Sequence, residues 1–220
     1  RWTMTERGRG SVDAASGHLA IGPSAVRWTG DALCIDVDEV AAPLPARVRG
    51  RIRVHPYALF DEDHALDPAG RHHWRPIAPA ALVEVEMSRP DLCWSGIGYL
   101  DSNRGAAPLE RDFRRWDWCR AALPRHRTGV YYDVVPRDGA PRSLAVGFDA
   151  DGSIEPLAPL PAIALAPTRW RIPRRARADR PEAVRVVRTL EDAPFYARSV
   201  LSSTWQQAPV TVVHESLSLD

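Results

Sequence analysis

The sequence has no lysine: all 29 of its basic residues are arginine, a bias that fits GC-rich coding and carries little functional meaning. Those arginines are matched by 28 acidic residues, so the formal net charge is only +1. A chain so nearly balanced has no overall electrostatic pull towards nucleic acid or an anionic bilayer. Cysteine is scarce, and Cys34, Cys93 and Cys119 form an odd set with no CxxC spacing. That argues against a disulfide framework or a zinc site and favours a reduced, intracellular setting. Long apolar runs are missing too; nothing approaches the roughly 18 residues of a membrane-spanning helix. No Gly-rich phosphate loop follows a strand, no Walker pattern or short-period repeat occurs, and no GxSxG elbow marks a hydrolase nucleophile. The 20 prolines disfavour long helices, since each removes a backbone donor and clashes with the preceding turn.

Short alternating segments fill the chain instead. "AVRWTGDALCIDVDEV" reads as two strands around the turn Thr29-Gly30-Asp31. "ARVRGRIRVHPYAL" sets Val48, Ile52 and Val54 against Arg49, Arg51 and Arg53, the period-two pattern of a half-buried strand. Further turn signals at Asp138-Gly139 and Asp151-Gly152 recur at hairpin intervals. Many short strands at this spacing predict an all-β sandwich or barrel. "LERDFRRWDW" could form one helical turn, although its WDW alternation suits a strand better. The Pro-rich "RPIAPAA" at 75–81 suggests a boundary dividing residues 1–76 from 77–220. About eight or nine strand candidates follow it, enough to close a barrel, whereas about five precede it. The chain opens at Arg1, without methionine, in a strand-like "RWTMTERG". Both features suggest that its natural start lies upstream.

Several groups could carry chemistry. His55, His64, His72 and His73 are interleaved with Asp61, Glu62, Asp63 and Asp67. Their spacing matches no zinc pattern, and the composition is that of a solvated loop. On a strand, His72 and Trp74 share a face, and Tyr99 and Asp101 have the same relation. If both strands line one cavity, imidazole, indole, phenol and carboxyl converge there. The alternative is a buried Trp/Tyr core in which Asp101 caps a tight Asp-Ser-Asn-Arg-Gly turn. "VHESL" puts His214, Glu215 and Ser216 side by side, but strand neighbours point to opposite faces and make no triad. Trp116 and Trp118 read as core or rim residues, and the Arg run at 171–180 as a solvated loop.

"GYLDSNRGAAPLERDFRRWDWCRA", "RHHWRPIAP", "LEDAPFYARS" and the terminal "VHESLSLD" resemble the carotenoid 1,2-hydratases of purple bacteria, also called hydroxyneurosporene synthases. The resemblance runs from "RWTMTERG" to the last residue; Cys119 departs from it, where relatives often have Ser. It implies two lipocalin-like β-barrels of the AttH-like kind, residues 1–76 being the C-terminal part of the first, truncated one and 77–220 the second. It implies hydration of the terminal C1–C2 double bond of acyclic carotenes such as neurosporene or lycopene, without a cofactor. The family's His-x-Trp and Tyr-x-Asp motifs fall on His72, Trp74, Tyr99 and Asp101 as catalytic residues. Asp101 is the expected acid, its carboxyl kept protonated by apolar surroundings. Trp74 and Tyr99 would offer π-faces to the cation, while His72, or Tyr99 in its place, would handle the water's proton. The substrate lives in a bilayer, so the expected location is peripheral, on the cytoplasmic side of the inner photosynthetic membrane, with no nucleic-acid partner. Two other readings keep the same fold: a non-catalytic binder of a hydrophobic ligand, and an isoprenoid or polyketide cyclase.

Overall fold

The structure is a computed structural model in which residue 3 and residues 5–220 are described. It is an antiparallel all-β protein, as the alternation predicts. The strands are β1 (Val12–Ala15), β2 (His18–Ile21), β3 (Ser24–Trp28), β4 (Leu33–Val40), β5 (Arg47–Pro56) and β6 (His64–Ala65). The two longest follow, β7 (His72–Arg89) and β8 (Asp91–Gly105). After a single helical turn, α1 (Leu109–Asp112), come β9 (Phe113–Leu123), β10 (Arg127–Pro136), β11 (Arg142–Phe148) and β12 (Ile154–Pro156). The last are β13 (Ala162–Leu165), β14 (Arg174–Arg177), β15 (Arg185–Asp192), β16 (Tyr196–Trp205) and β17 (Ala208–Ser218).

The chain divides into two compact units, residues up to Tyr57 with Ala81–Leu100, and Ala58–Ala80 with Asp101–Asp220. The Pro-rich stretch 75–81 lies inside β7, which passes from the second unit to the first between Ala80 and Ala81. In the first unit, β1 to β5 run in sequence order and β5 pairs with the far half of β7. The β3–β4 hairpin turns at Gly30, whose φ of 102° is the left-handed geometry that glycine adopts without steric cost. The predicted alternation on β5 holds, with Val48, Ile52 and Val54 turned inward and the arginines outward. Arg51 meets an acid on β4, donating to Asp36 at 2.6 Å, and Arg27 of β3 donates to the same carboxylate. The hydrogen bond from Arg51 holds the Asp36 carboxyl below its usual range.

The second unit is built on a seven-stranded sheet in the order β12-β11-β10-β9-β17-β16-β15. One face packs Cys119, Ala121, Tyr131, Leu201, Trp205 and Val212 against Leu157, Leu160 and Ala176 of the segment that carries the β13–β14 hairpin. Buried polar groups fasten that hairpin to the sheet. Asp117 accepts from the Arg175 amide at 3.0 Å, and His214 Nε2 lies 3.0 Å from the Arg175 carbonyl. His214 and Ser216 therefore face the hairpin, whereas their neighbour Glu215 points the other way, as strand alternation requires. Burial pushes the His214 imidazole down to about 4 and the Asp117 carboxyl up.

Two local expectations need correction. The Asp-Ser-Asn-Arg-Gly stretch is not a tight turn: residues 101–105 continue β8 as extended strand. Its Gly105 has no positive φ, so the glycine serves close approach and not chain reversal. Of the strand-like opening "RWTMTERG", Arg1, Trp2 and Met4 lie outside the described residues, and residues 5–8 are in no strand. "LERDFRRWDW" combines both of its readings, a helical turn and then a strand beginning at Phe113.

Candidate active site

The loop that leads into β7 is held by one carboxylate. Asp67, 4% exposed, accepts from the backbone amides of Ala69 at 3.2 Å and of Arg71 and His72 at 2.8 Å. This is an Asp hydrogen-bonding the backbone that follows it, and it sets where β7 starts. From that start, His72 and Trp74 point to one side and His73 to the other. His72 and Trp74 are buried, at 2% and 0% exposure.

Trp74 Nε1–H donates to Asp101 Oδ2 at 2.8 Å. Its ring is walled by the edges of Tyr132 (5.7 Å between centroids) and Phe148 (6.1 Å), and by the tilted imidazole of His64 (5.1 Å) across the β6–β7 pair. Burial lowers the pKa of His64, so this wall is uncharged near neutral pH. Asp101 is half-buried at this wall, on the segment of β8 that belongs to the second unit.

His72 is committed elsewhere. Its Nε2 lies 2.7 Å from Asp112 Oδ2, and Phe113 packs against its ring at 4.8 Å. A Cβ at Gly105 would fall 2.7 Å from Nδ1, so only glycine lets β8 pass this close. Arg71 donates twice to Asp112, from Nε at 3.1 Å and Nη2 at 2.8 Å. The hydrogen bond to His72, with Arg71 behind it, keeps the Asp112 carboxyl below its usual range.

Three of the four predicted residues thus lie in the second unit, where Trp74 and Asp101 bond directly and His72 sits two residues along the same strand. Tyr99 is half-buried on β8, two residues before Asp101, and belongs to the first unit. The clustered histidines go separate ways. His55 lies 3.1 Å from Glu84 in the first unit, His73 lies 2.8 Å from the Gly70 carbonyl, and His64 stacks on Trp74. Sequence reasoning took Asp67 as part of a solvated loop, and it missed Gly105, Asp112 and Tyr132. Of these, only Gly105 left a trace in the sequence, as a glycine in an otherwise polar strand end.

A carboxyl group fixed by a buried indole, against a wall of aromatic rings, suits proton chemistry on an apolar substrate. Comparison with known proteins bears on what that substrate is. The family described as carotenoid hydratase CrtC matches residues 1–220. The acyclic carotenoid 1,2-hydratase of Thiocapsa roseopersicina is 53% identical over the whole chain, which covers 54% of that protein. The hydratase of the same name from Rubrivivax gelatinosus is 46% identical, again with 54% of its length covered. That of Cereibacter sphaeroides is 38% identical, with 78% covered. The chain spans about half the length of the first two relatives.

Proposed function

This chain belongs to the carotenoid hydratase CrtC family, and from that premise we propose that it adds water across the terminal C1–C2 double bond of an acyclic carotene such as neurosporene or lycopene. The observation that carries this reading is the 2.8 Å hydrogen bond from the buried Trp74 indole to Asp101 Oδ2, inside the wall of Tyr132 and Phe148. In this reading the Asp101 carboxyl supplies the acidic proton. Delivered to C2, it leaves a tertiary cation at C1, which water captures to give a 1-hydroxy carotenoid. The sum is alkene plus water with no change of oxidation state, so the balance needs no cofactor.

Each of the other residues has a part consistent with its place. Trp74 is wholly enclosed, so it orients the acid and does not touch the cation. Tyr99, at strand spacing from Asp101, is assigned the π-face for the cation, a contact worth about 0.5–2 kcal/mol when desolvated. His72 has Nε2 on Asp112 and its ring against Gly105, which makes it a positioning residue for β7. Among the described residues no helix is long and apolar enough to cross a membrane. For a hydrocarbon substrate we place the protein peripherally, on the cytoplasmic side of the inner membrane. The exposed Trp170 and Phe195 are apolar contacts available to a lipid surface.

The test is conversion of lycopene and neurosporene in carotene-producing cells, by the chain alone and within the longer protein length that its relatives have. Asp101→Asn is made in each. A 1-hydroxy product that drops about 10²- to 10⁴-fold with Asn supports the hydratase and its acid together. Product that persists in the Asn variant moves the acid elsewhere. No product from any well-folded form leaves a hydrophobic-ligand binder as the better reading.

A further inference from the structure

The face of the seven-stranded sheet opposite the Cys119–Leu201 core carries a row of polar groups that the reading above leaves unused. The strand registers place Tyr132 opposite Trp118, and Trp118 opposite Glu215, so the three side chains share one face. Trp116 lies one step along the same face of β9, with its ring 5.7 Å from that of Tyr132. Trp74, whose indole holds Asp101, also packs on Tyr132. Tyr132 thus contacts two indole rings, one of them the ring bonded to Asp101. The two tyrosines of "VYYDV" differ in what their hydroxyls do. Tyr131, on the opposite face, donates to the Ala158 carbonyl at 2.8 Å. The Tyr132 hydroxyl is on the other face, on the side that carries Trp74 and Trp116.

Tyr132 is 5% exposed, so its phenol sits in a largely desolvated setting beside the indole that holds Asp101. Burial pushes its ionisation well above the ordinary range for tyrosine. It therefore stays a neutral phenol, able to accept one hydrogen bond and donate another. Glu215 is held in turn by Arg198, which donates to it at 2.8 Å.

We propose that Tyr132 is a further catalytic residue, whose hydroxyl holds the water that captures the C1 cation and returns the released proton to Asp101. The inference rests on the hydratase reading. In the first step the O–H bond of Asp101 breaks, the alkene π-pair forms the new C2–H bond, and C1 becomes cationic. In the second step a water lone pair forms the C1–O bond. One proton of that water passes to the phenolic oxygen while the phenolic proton passes to the Asp101 carboxylate. Tyr132 and Asp101 both end as they began, and the product is the tertiary alcohol.

The experiment is Tyr132→Phe in the full chain, assayed with lycopene in D2O beside wild type, Asp101→Asn and Tyr131→Phe. Phenylalanine keeps both indole contacts and removes only the hydroxyl. The expected result is hydration slowed by about a hundredfold or more at unchanged thermal stability. Recovered lycopene from Tyr132→Phe should carry deuterium at C2, because Asp101 still protonates the alkene and the uncaptured cation reverts. Asp101→Asn should show neither product nor exchange, and Tyr131→Phe should show wild-type rates at reduced stability. Hydration by Tyr132→Phe within threefold of wild type overturns the inference. A folded Tyr132→Phe with neither hydration nor exchange overturns it too, because the hydroxyl would then serve the first proton transfer. A wild-type chain that makes no hydroxy product removes the hydratase reading, and this inference with it.

Discussion

Gly105→Ala tests whether His72 acts by being held in place. The added Cβ would lie 2.7 Å from His72 Nδ1, 3.1 Å from Cε1 and 3.3 Å from the Ala107 carbonyl, whereas ordinary contact starts at 3.4 Å. To clear it the imidazole must retreat by about 0.7 Å, the difference between the first and last of those distances. Behind the ring stand the Asp112 carboxylate at 2.7 Å from Nε2 and the Phe113 ring at 4.8 Å. The Asp112 carboxylate is itself pinned by two hydrogen bonds from Arg71, so the retreat meets a fixed wall. Overpacking of this kind costs about 1–3 kcal/mol. For a chain of this size that corresponds to a melting temperature lower by roughly 2–12 °C. Because Trp74 sits two residues along β7, the shift reaches the indole that holds Asp101, and misplacement by about 1 Å can cost 10²-fold in rate. Hydration should therefore fall at least tenfold while the protein remains folded. Thermal melts and carotene conversion read the two effects separately, with Gly10→Ala as control, since nothing lies within 4 Å of a Cβ there. A Gly105→Ala protein with wild-type melting and wild-type product would refute the tight packing around His72 and its positioning role together.

Trp74→Phe removes the indole donor to Asp101 and keeps an aromatic ring. A hydrogen bond to the carboxylate that Asp101 becomes once it has given up its proton contributes about 1.5–3 kcal/mol, so hydration should slow by roughly tenfold to a hundredfold. Added to Asp101→Asn, the same change should cost nothing more, and additive losses in that double variant would show Trp74 acting independently of the acid. His214→Gln addresses stability through pH. The folded imidazole titrates at about 4, below its unfolded value of about 6.5, so the unfolded chain takes up a proton first and stability falls as pH drops through that window. Between pH 7 and 5 the loss is about 2 kcal/mol, from roughly 1.5 pH units at about 1.36 kcal/mol each. Asp117, whose pKa burial raises, works in the opposite sense, because the folded state holds its proton more tightly and gains from acid. The difference between wild type and His214→Gln in urea titrations at the two pH values isolates the histidine. Equal pH slopes in the two proteins would contradict its buried, neutral state.

What could be read from the sequence, and what could not, follows from the range of each signal. The hairpin turns at Gly30, Gly139 and Gly152 were legible because a positive φ is a local demand that glycine meets best. The alternation on β5 was legible because period two is also local. Asp-Ser-Asn-Arg-Gly misled because its polar residues carry turn chemistry, while β8 runs on as strand to Gly105 with residues 102–105 exposed. Only the packing of Gly105 against His72, more than thirty residues upstream, explains the glycine, and that neighbour is invisible to any local pattern. The same limit hid Asp112 and Tyr132. Asp112 meets His72 from 40 residues away, at the end of a single helical turn. Tyr131 and Tyr132 are adjacent, so alternation requires that one face the Leu201 core and the other face Trp74. Nothing in "VYYDV" says which is which; the register of β10 on β9 decides it. A one-residue slip would exchange the two tyrosines, burying the Tyr132 hydroxyl in the core and turning Tyr131 towards Asp101. The face that carries the candidate chemistry is therefore set by pairing across strands, and residue spacing along one strand proposes a site only up to that choice.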